Sequence, residues 1–389
     1  MVKETKLQTK NLLLLTAVIV LILIGIFRNQ INTLFSILYG VTIDKAIHLT
    51  QPQKESFNLL LMGIGGGKHD GPNLTDTSIL ANININTKKV SMFSIPRDLW
   101  IPNAHDKINA IYAYAQKSDT GLTAAKDAIL NVTGQSVDYV VVLDFEGFIK
   151  LVDYLGGIDV NVERTFQDYE YPISGEEENT CGKNEDELKA LATASSQLEA
   201  FPCRYKTISF TKGTTTMNGQ TALEYVRSRH GNNGEGSDFA RSKRQEIVIS
   251  ALKDKAFSLG VILNPVKLVG IYNILKANIN TNINPDKIDD FIKLAQKLKE
   301  GVIKSYVIDQ GNESEKRFGL LINPPITEEY AFKWVLSPRV GNGNFTEIRQ
   351  YVSCSILSQD CFVGEEGIII PTVSPKVSPS STKNNSTMR

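Results

Sequence analysis

A stretch of 17 residues without a formal charge, from Asn11 to Phe27, constrains this chain more than any other feature of its sequence. Leu, Ile and Val dominate the stretch, and Arg28 follows it directly. Roughly 20 apolar residues cross the core of a bilayer, so the stretch is long enough once its flanks are counted. A cleaved signal peptide is the alternative, but no convincing small-x-small cleavage site follows. The sequence therefore favours an uncleaved transmembrane signal anchor over residues 11–28.

The charges before the apolar stretch predict its orientation. Lys3, Lys6 and Lys10 precede the stretch, and positively charged flanks stay on the cytoplasmic side of a membrane. We expect residues 1–10 to be cytoplasmic and the residues after about 30 to be extracytoplasmic, as in a single-pass protein of the cell membrane.

The four cysteines agree with an oxidising location outside the membrane. Cys181 and Cys203 bracket one segment, and Cys354 and Cys361 lie close together near the carboxyl end. Two local disulfides are the simplest interpretation, although four cysteines allow other pairings. Zinc is the alternative, but no pair has Cys-x-x-Cys spacing and no histidine lies nearby in sequence.

The net charge removes one class of partner. Lys plus Arg and Asp plus Glu both number 42, so the formal net charge is zero. A bulk electrostatic attraction to nucleic acid has no support from these numbers, and any anion site must be local.

Short apolar runs alternate with amphipathic segments, which predicts an α/β fold with three layers, α/β/α, and a mixed central sheet. The predicted strands are 57–62, 78–85, 89–95, 137–143, 158–162 and 302–308. The predicted helices are 108–116, 122–132, 145–154, 238–257, 285–300 and 346–358.

The same pass along the chain divides it into parts. A polar connector over 29–56 leads into one extracytoplasmic domain over 57–365, which carries a cysteine-bracketed insertion at 166–204. The insertion is acidic, so we expect it to lie on the surface. The tail over 366–389 is rich in Pro, Ser and Thr and cannot support a core, which predicts disorder or a spacer.

A glycine run after the first predicted strand suggests nucleotide binding but fits neither nucleotide motif. The dinucleotide fingerprint needs a third glycine where Lys68 stands, and a P-loop needs Ser or Thr where His69 stands. Two interpretations remain open: a flexible loop, or a loop whose backbone amides line a phosphate pocket.

Arginines and aspartates are where chemistry must be sought, because no Gly-x-Ser-x-Gly motif is present and the four histidines form no metal-spaced pair. Arg97 ends the third predicted strand. Arg227 and Arg229 would point to one face if their segment is extended. On a helix, Asp238, Arg241 and Gln245 would share a face, with Arg244 beside them.

The planar guanidinium binds phosphate in a bidentate manner and stays charged at physiological pH. Arginines that converge from separate segments suit a pyrophosphate, although ordinary surface ion pairs are the alternative for each one. The predicted pyrophosphate-binding residues are Arg97, Lys107, Arg227, Arg229, Arg241, Arg244 and Gln245.

The acids complete the predicted site. Asp76 precedes the second strand, where it is either a turn residue or a ligand of Mg²⁺ beside pyrophosphate. Asp238 is either a helix N-cap or a partner of Arg241. A polyprenyl carrier would also need an apolar pocket, for which core packing is the alternative role of each residue. The candidate lining residues are Phe145, Phe148, Leu151, Val152, Tyr225 and Val248.

These motifs, in this order, resemble the LytR-CpsA-Psr family from about residue 57 to 258. The matching strings are Leu-Leu-Leu-x-Gly-Ile (59–64), Asp-Thr (76–77), Ser-Ile-Pro-Arg-Asp (94–98), Lys-Ile-Asn-Ala-x-Tyr-Ala-Tyr (107–114), the Asp-Phe to Gly-Gly-Ile-x-Val run (144–160), Met-Asn-Gly to Arg-Ser-Arg (217–229) and Asp-Phe-x-Arg-x-x-Arg-Gln (238–245).

The resemblance implies a phosphotransferase that moves a glycan-phosphate, such as a teichoic-acid-like glycopolymer, from a polyprenyl-pyrophosphate carrier to peptidoglycan, with Mg²⁺. It implies that Asp76 is a metal-site acid and that Arg97, Arg229 and Asp238 act with it in catalysis. No nucleic-acid partner is expected.

Two positions depart from the family pattern. Gly65 replaces an acid after the first strand, and Leu74-Thr75 precede Asp76 where the family has arginine. Asp70 or His69 of the same loop are the candidate substitutes for the missing metal ligand. The departure at Gly65 keeps a non-catalytic lipid-glycan carrier open as an alternative, and a pyrophosphatase acting on the same lipid is a second one. A transcriptional regulator is disfavoured by the expected location and the zero net charge.

Overall fold

The computed structural model describes residues 47–49, 54–67, 71–190, 196–262, 264–298, 301–312, 316–357 and 361–369. The predicted anchor over 11–28, the residues Lys68 to Asp70 and nearly all of the tail lie outside this part of the chain. Among the residues described, no helix is both long and apolar enough to cross a bilayer.

The strands are numbered in chain order. They are β1 (Ser56–Ile64), β2 (Thr75–Asn84), β3 (Lys89–Ser94), β4 (Trp100–Ile101), β5 (Asp106–Lys107), β6 (Tyr139–Asp144), β7 (Ile158–Val162), β8 (Phe166–Pro172), β9 (Tyr205–Phe210), β10 (Gly213–Met217), β11 (Ile279–Thr281), β12 (Val302–Val307), β13 (Gly311–Asn312), β14 (Arg317–Phe318), β15 (Leu321–Ile322), β16 (Ser337–Pro338), β17 (Phe362–Val363) and β18 (Ile368–Ile369).

The α-helices are numbered in the same way. They are α1 (Ile108–Gln116), α2 (Gly121–Thr133), α3 (Phe145–Tyr154), α4 (Glu185–Ala190), α5 (Gln197–Ala200), α6 (Gly219–Arg227), α7 (Asp238–Ala256), α8 (Leu259–Ile262), α9 (Pro265–Asn278), α10 (Ile288–Lys297) and α11 (Thr346–Ile356). Short 3₁₀ turns lie at Pro102–Ala104, Pro202–Arg204, Pro285–Lys287 and Glu328–Tyr330.

A six-stranded sheet forms the centre of the domain, in the order β11-β6-β1-β2-β3-β12. Strand β1 runs antiparallel to β2 and parallel to β6, and β12 runs parallel to β3. The prediction of an α/β chain with a mixed central sheet is confirmed. The carboxyl ends of β1, β3, β6 and β12 therefore meet at one edge of the sheet, together with the start of β2.

Helices cover both faces of this sheet because its strands are apolar on both faces. Leu60 and Met62 of β1 point into a cluster with α1, α2 and α11. Leu59 and Leu61 pack against the opposite cluster, to which Leu294 of α10 belongs. Side chains alternate across a strand, so consecutive leucines serve two cores. Full burial of one such side chain contributes about 1.5–3 kcal/mol.

A third cluster lies beside the sheet. It joins the β7–β10 and β8–β9 strand pairs to α3, α6 and α7. Phe166 and Tyr171 of β8 are buried in it, so the expectation that the insertion lies wholly on the surface is wrong for its first seven residues. The later part carries the Cys181–Cys203 disulfide, and Cys354–Cys361 forms the second one. Both pairings are those expected from the sequence.

Candidate functional site

The candidate site lies at the sheet edge where β1, β3 and β6 end and β2 begins. Asp76 is the second residue of β2 at this edge. Gly63 pairs with Thr77 and Ile64 pairs with Thr75, so Asp76 has no partner on β1 and forms a β-bulge. Bulges re-aim a side chain and are frequent beside active sites. The edge of an α/β sheet at the carboxyl ends of its strands is also the usual place for ligands.

Asp76 connects the sheet with the neighbouring layer of helices. Its carboxylate accepts a hydrogen bond of 2.6 Å from Nη1 of Arg97, which follows β3. The other carboxylate oxygen lies 3.5 Å from Nη2 of Arg227, the last residue of α6. The Arg227 guanidinium stacks 4.2 Å from the ring centroid of Phe145, which opens α3. The predicted partners therefore meet, although they come from separate segments.

Helix α6 corrects one expectation. The segment from Tyr225 to Arg229 is not extended, since Asn218 caps a helix that runs through Arg227 and ends at Ser228. Asn218 accepts a hydrogen bond from the amide of Thr221, as a helix N-cap does. Arg227 and Arg229 reach the site from a helix end rather than from one face of a strand.

Asp98 is a second acid at this edge of the sheet, beside Asp76. Lys107 donates to its Oδ1 at 2.7 Å, and Nε of Arg97 lies 3.4 Å from its Oδ2. Burial alone would raise the pKa of Asp98, but Lys107 and Arg97 hold this pKa below its ordinary value. Sequence reasoning placed Lys107 here and missed Asp98, although Asp98 stands next to Arg97 in the chain.

Arg229 differs from the other arginines of the site in its ion pairing. Within the described part of the chain its guanidinium has no carboxylate at ion-pair distance. Burial, followed by the nearby charges of Arg241 and Arg97, lowers the pKa of Arg229 to about 10. Arg229 is half-buried, and the carboxylates of Asp76 and Asp98 offset the effect of the two arginines only in part. An anionic ligand would relieve this arrangement.

Asp168 of β8 holds the backbone that presents Arg229. One of its oxygens accepts from the Ser228 hydroxyl at 2.6 Å and from the amides of Arg229 and His230 at 3.1 Å each. The other accepts from the amide of Glu170 at 2.9 Å. Burial would raise the pKa of Asp168, but these hydrogen bonds keep it below its ordinary value. Asp168 was not predicted, because it lies in the segment interpreted as a surface insertion.

Arg244 is not part of the site surface, which corrects its predicted role. Its side chain is 2% exposed. It donates to the carbonyl oxygens of Tyr225, Ser228 and Glu235 at 2.7–2.8 Å and forms an ion pair of 2.7 Å with the Glu235 carboxylate. Its hydrogen-bonding capacity is used within the protein, so Arg244 holds the loop between α6 and α7 rather than a ligand.

The start of α7 supplies the next pair. Ser237, not Asp238, is the N-cap, since its hydroxyl accepts from the amide of Ala240 at 3.1 Å. Asp238 instead pairs with Arg241 at 2.6 Å. Of its two predicted roles, helix N-cap or partner of Arg241, the structure thus supports the second.

Gln245, two turns into α7, faces β2, a contact that the helical spacing alone did not specify. Its Nε2 lies 3.4 Å from Oγ1 of Thr77, next to Asp76. Its Oε1 is buried and has no hydrogen-bond partner among the described residues. A buried acceptor without a donor is costly, and a ligand hydroxyl would satisfy it.

A cavity of about 350 Å³ opens beside Arg227. Residues of the glycine loop, α3, α6 and the β8–β9 segment line it, among them Gly65, Phe145, Ile149, Leu223 and Arg227.

The glycines of this cavity wall show why a side chain is excluded there. Gly66 has a φ of +67°, and a Cβ at this position would lie 2.7 Å from Cβ of Asp144. Its amide donates to the carbonyl oxygen of Pro72, so this amide is not free for a phosphate.

The candidate lipid-lining residues divide between wall and core. Phe145 lines the cavity. Val152, Tyr225 and Val248 are buried members of the third cluster, and Phe148 packs against it. Leu151 belongs to a separate buried cluster with Leu155 and Val261. The structure thus supports the core alternative for these five.

The acids of the site fit a divalent cation only in part. No group of three or more His, Cys, Asp and Glu able to hold a metal occurs among the residues described. Gly65, directly after β1, offers no side chain, and Asp70 lies outside the described part. Asp76 remains as one carboxylate beside the arginines, and one or two carboxylates plus substrate oxygens suffice for Mg²⁺.

The charges of the site leave it positive. Among the residues described, five cationic side chains and three carboxylates come together there: Arg97, Lys107, Arg227, Arg229 and Arg241 with Asp76, Asp98 and Asp238. The excess of positive charge suits a multiply charged anion, and planar guanidinium groups favour phosphate.

Comparison with known proteins gives concordant results. A model of the LytR_cpsA_psr family matches residues 29–319. TagU of Bacillus subtilis, named a polyisoprenyl-teichoic acid–peptidoglycan teichoic acid transferase, is 29% identical over 252 residues, which cover 64% of this chain and 66% of TagU. Biofilm regulatory protein A of Streptococcus mutans is 30% identical over 239 residues, which cover 59% of this chain and 50% of that protein. The chain thus spans half to about two thirds of the length of these relatives.

A solved structure shares the fold. The Lin1025 protein of Listeria innocua superposes with a TM-score of 0.51 at 26% identity, over 79% of this chain and all of that one.

Proposed function

We propose that this chain, a member of the LytR_cpsA_psr family, is a membrane-anchored extracytoplasmic transferase that moves a phosphorylated glycan from a polyprenyl-pyrophosphate carrier to peptidoglycan. The observation that carries the proposal is the convergence of arginines from separate segments at one edge of the sheet: Arg97 and Arg227 flank Asp76, and Arg229 lies close enough to feel the charges of Arg97 and Arg241. The name of TagU, a teichoic acid transferase, supports the same reaction class.

The arginines bind the pyrophosphate and stabilise the charge that develops during transfer. Arg97 and Arg227 flank Asp76, while Arg229 and Arg241 approach from the end of α6 and the start of α7. Such preorganised cations act by positioning and electrostatics, and loss of one costs about 10²–10³ in rate.

The transfer step follows from this placement. A sugar hydroxyl of the acceptor attacks the phosphorus nearer the glycan, so a new phosphate ester bond forms. The bond from that phosphorus to the bridging oxygen breaks, and polyprenyl phosphate leaves with the electron pair. An aspartate of the site takes the hydroxyl proton: Asp238, which pairs with Arg241, when Asp76 holds the metal, and otherwise Asp76, the carboxylate between Arg97 and Arg227.

The proposal includes Mg²⁺, which would neutralise part of the negative charge on the phosphates. Asp76 would hold it together with phosphate oxygens of the donor. Because the position of Gly65 carries no acid, binding of the metal should depend strongly on the donor. Thermal shift with inactive pyrophosphate analogues, in Mg²⁺ and in EDTA, tests this dependence without requiring turnover.

The location is proposed from the sequence of the amino terminus and from the disulfides. The apolar stretch over 11–28 would anchor the chain, with residues 1–10 in the cytoplasm and the bulk of the chain outside. Two disulfides agree with an oxidising compartment.

The deciding experiment uses the full chain in detergent, a synthetic polyprenyl-pyrophosphate glycan and peptidoglycan oligomers. Arg97→Ala should reduce ligation at least about 100-fold, while Arg164→Ala, an exposed arginine outside the site, should behave as wild type. Product with water alone would identify a pyrophosphatase. Tight donor binding without product for any acceptor would identify the carrier alternative.

A further inference from the structure

The segment after the family match contributes to the rim of the site. The family model ends at residue 319, but Leu336 donates its amide to the carbonyl oxygen of Asp98 at 2.9 Å and accepts from the amide of Trp100 at 2.8 Å. Tyr330 and Val335 pack with the buried Trp100 ring. These contacts fix residues 330–336 to the loop that carries Asp98, one of the acids of the site.

This segment places an exposed indole beside the site cations. Trp334 is 47% exposed, and Nζ of Lys107 lies 5.9 Å from its ring centroid. Lys107 pairs with Asp98, and Asp98 contacts Arg97. Two ion pairs therefore separate the indole from a pyrophosphate-binding arginine.

Polar groups next to the indole are held in position as well. Asp106 accepts from Lys333 at 2.7 Å and from the Tyr114 hydroxyl at 2.8 Å. Burial would raise the pKa of Asp106, but Lys333 and the other donors hold it below its ordinary value. Tyr114 is itself 56% exposed.

The backbone at this point is strained. Ala331 and Phe332 have φ values of +50° and +53°, a region that residues with a Cβ rarely adopt. Such conformations persist where the surroundings over-determine them, and they cluster at binding sites. Here they place Phe332, which is 71% exposed, directly before Lys333 and Trp334.

We propose that Trp334, with Lys107, Lys333 and Tyr114 around it, is the subsite that binds the acceptor saccharide. This inference rests on the proposed transferase function and names the acceptor's binding place. A sugar ring presents an apolar C–H face to an aromatic ring and hydroxyl groups to charged side chains, and exposed aromatics with a few placed polar groups are typical of ligand sites.

The position of the donor makes the acceptor the fitting occupant. The cavity lined by Phe145, Ile149 and Leu223 opens on the Arg227 side of Asp76 and offers apolar wall to a prenyl chain. Trp334 lies on the Arg97 side, through Lys107 and Asp98. Attacking and leaving oxygens lie roughly in line in phosphoryl transfer, so the acceptor should enter from the side away from the leaving lipid.

Fluorescence tests the subsite directly, because the chain has two tryptophans and Trp100 is only 1% exposed. The full-length protein in detergent is titrated with a β-1,4-linked N-acetylglucosamine tetramer, with maltotetraose as the control sugar. We expect a saturable change in emission with the first sugar, lost in Trp334→Phe because the reporting indole is gone. No saturable change, or an unchanged response in Trp334→Phe, would overturn the assignment whether or not transfer is observed.

Kinetics provide the second measurement. Trp334→Ala should raise KM for the peptidoglycan oligomer about tenfold, the loss expected for one aromatic contact, with KM for the lipid donor unchanged. Trp334→Phe should restore most of the affinity, since it keeps an aromatic face. Phe362→Ala, an exposed aromatic of β17, is the matched control. Equal effects on both substrates would contradict an acceptor subsite.

Discussion

The arginines of this protein differ in whether groups of the protein itself already pair with their guanidinium charge. Arg244 has an ion pair and carbonyl acceptors at every side of its guanidinium. Arg229 has two neighbouring arginines and no carboxylate partner in the described part of the chain. The first arrangement stabilises the protein, and the second costs stability that a bound anion returns.

We expect Arg229→Met to separate these effects. The pKa of Arg229 is lowered to about 10, so the folded state carries a penalty for the charged form at every pH below this value. The variant should unfold at or above the wild-type temperature at pH 7, while glycan transfer falls about 10²–10³-fold. Calorimetry and the ligation assay measure the two quantities, with Arg164→Met as the control. A destabilised variant would show that Arg229 has a structural role instead.

Asp168 should show the opposite pattern. Asp168→Asn replaces an acceptor of four hydrogen bonds, and we expect it to lose about 2 kcal/mol of unfolding free energy at pH 7. Because the pKa of Asp168 is lowered in the folded state, its stabilising contribution is present above the unfolded pKa of about 3.9 and disappears as pH falls through the folded value.

Urea denaturation from pH 7 to pH 3 checks this expectation. The difference in stability between wild type and Asp168→Asn should shrink on acidification, and a constant difference would contradict it. Transfer should fall as well, through displacement of the Arg229 backbone, and Asp159→Asn, an exposed acid of β7, serves as the control.

At the scale of elements, the loop between α6 and α7 is held from two sides. Asp168 of β8 binds its first residues, and Arg244 of α7 binds the carbonyl oxygens of Ser228 and Glu235. Asn232 adds a backbone hydrogen bond to Gln167 of β8. The loop therefore presents Arg229 from a rigid frame, although it contains three glycines.

Arg244→Lys should loosen this frame. Lysine cannot reach the carbonyl and carboxylate acceptors that the planar guanidinium contacts together. Lysine keeps the positive charge beside Glu235 but loses most of the four hydrogen bonds of Arg244, each worth about 1 kcal/mol, so we expect a loss of about 2–3 kcal/mol in urea denaturation. Arg241→Lys, at a half-buried arginine whose ion-pair partner Asp238 is exposed, should change stability by less than about 1 kcal/mol. A similar loss in both variants would argue against the frame.

Elements with strong local patterns were predictable from the sequence, whereas contacts between distant segments were not. Helices α1 and α3 begin and end where their patterns predict, since apolar spacing and a following turn or glycine set their limits. Helix α6 was missed because its sequence, polar apart from a narrow apolar face, also fits a strand.

The arginine site was predictable for a different reason. Arg97 and Arg229 follow the ends of β3 and α6, Arg227 is the last residue of α6, and Arg241 lies in the first turn of α7. Side chains at such positions reach a shared edge of the sheet. The sequence could not show that Arg244, unlike these four, is buried and does not face the site. Its burial depends on Glu235 and on carbonyl groups whose positions a sequence does not give. Asp168 was not predicted because it lies in an acidic segment, where one buried acid cannot be told from its exposed neighbours.

For the whole molecule, the disulfides give a prediction about where the chain matures. All four cysteines are paired, and such pairs persist in oxidising compartments. Protein taken from its native membrane and denatured without reductant should take up no thiol-specific alkylating reagent, as measured by intact mass. After reduction it should gain four labels. Labelling before reduction would contradict an extracytoplasmic domain.

The bulge at Asp76 links the loop after β3 to the end of α6. Arg97 lies in that loop and Arg227 is the last residue of α6, and the single carboxylate of Asp76 contacts both. A pyrophosphate would compete for the same two guanidinium groups and carry more charge than the carboxylate it displaces. The lipid donor would then replace Asp76 as the link between Arg97 and Arg227, and Asp76 would regain both contacts when the lipid phosphate departs.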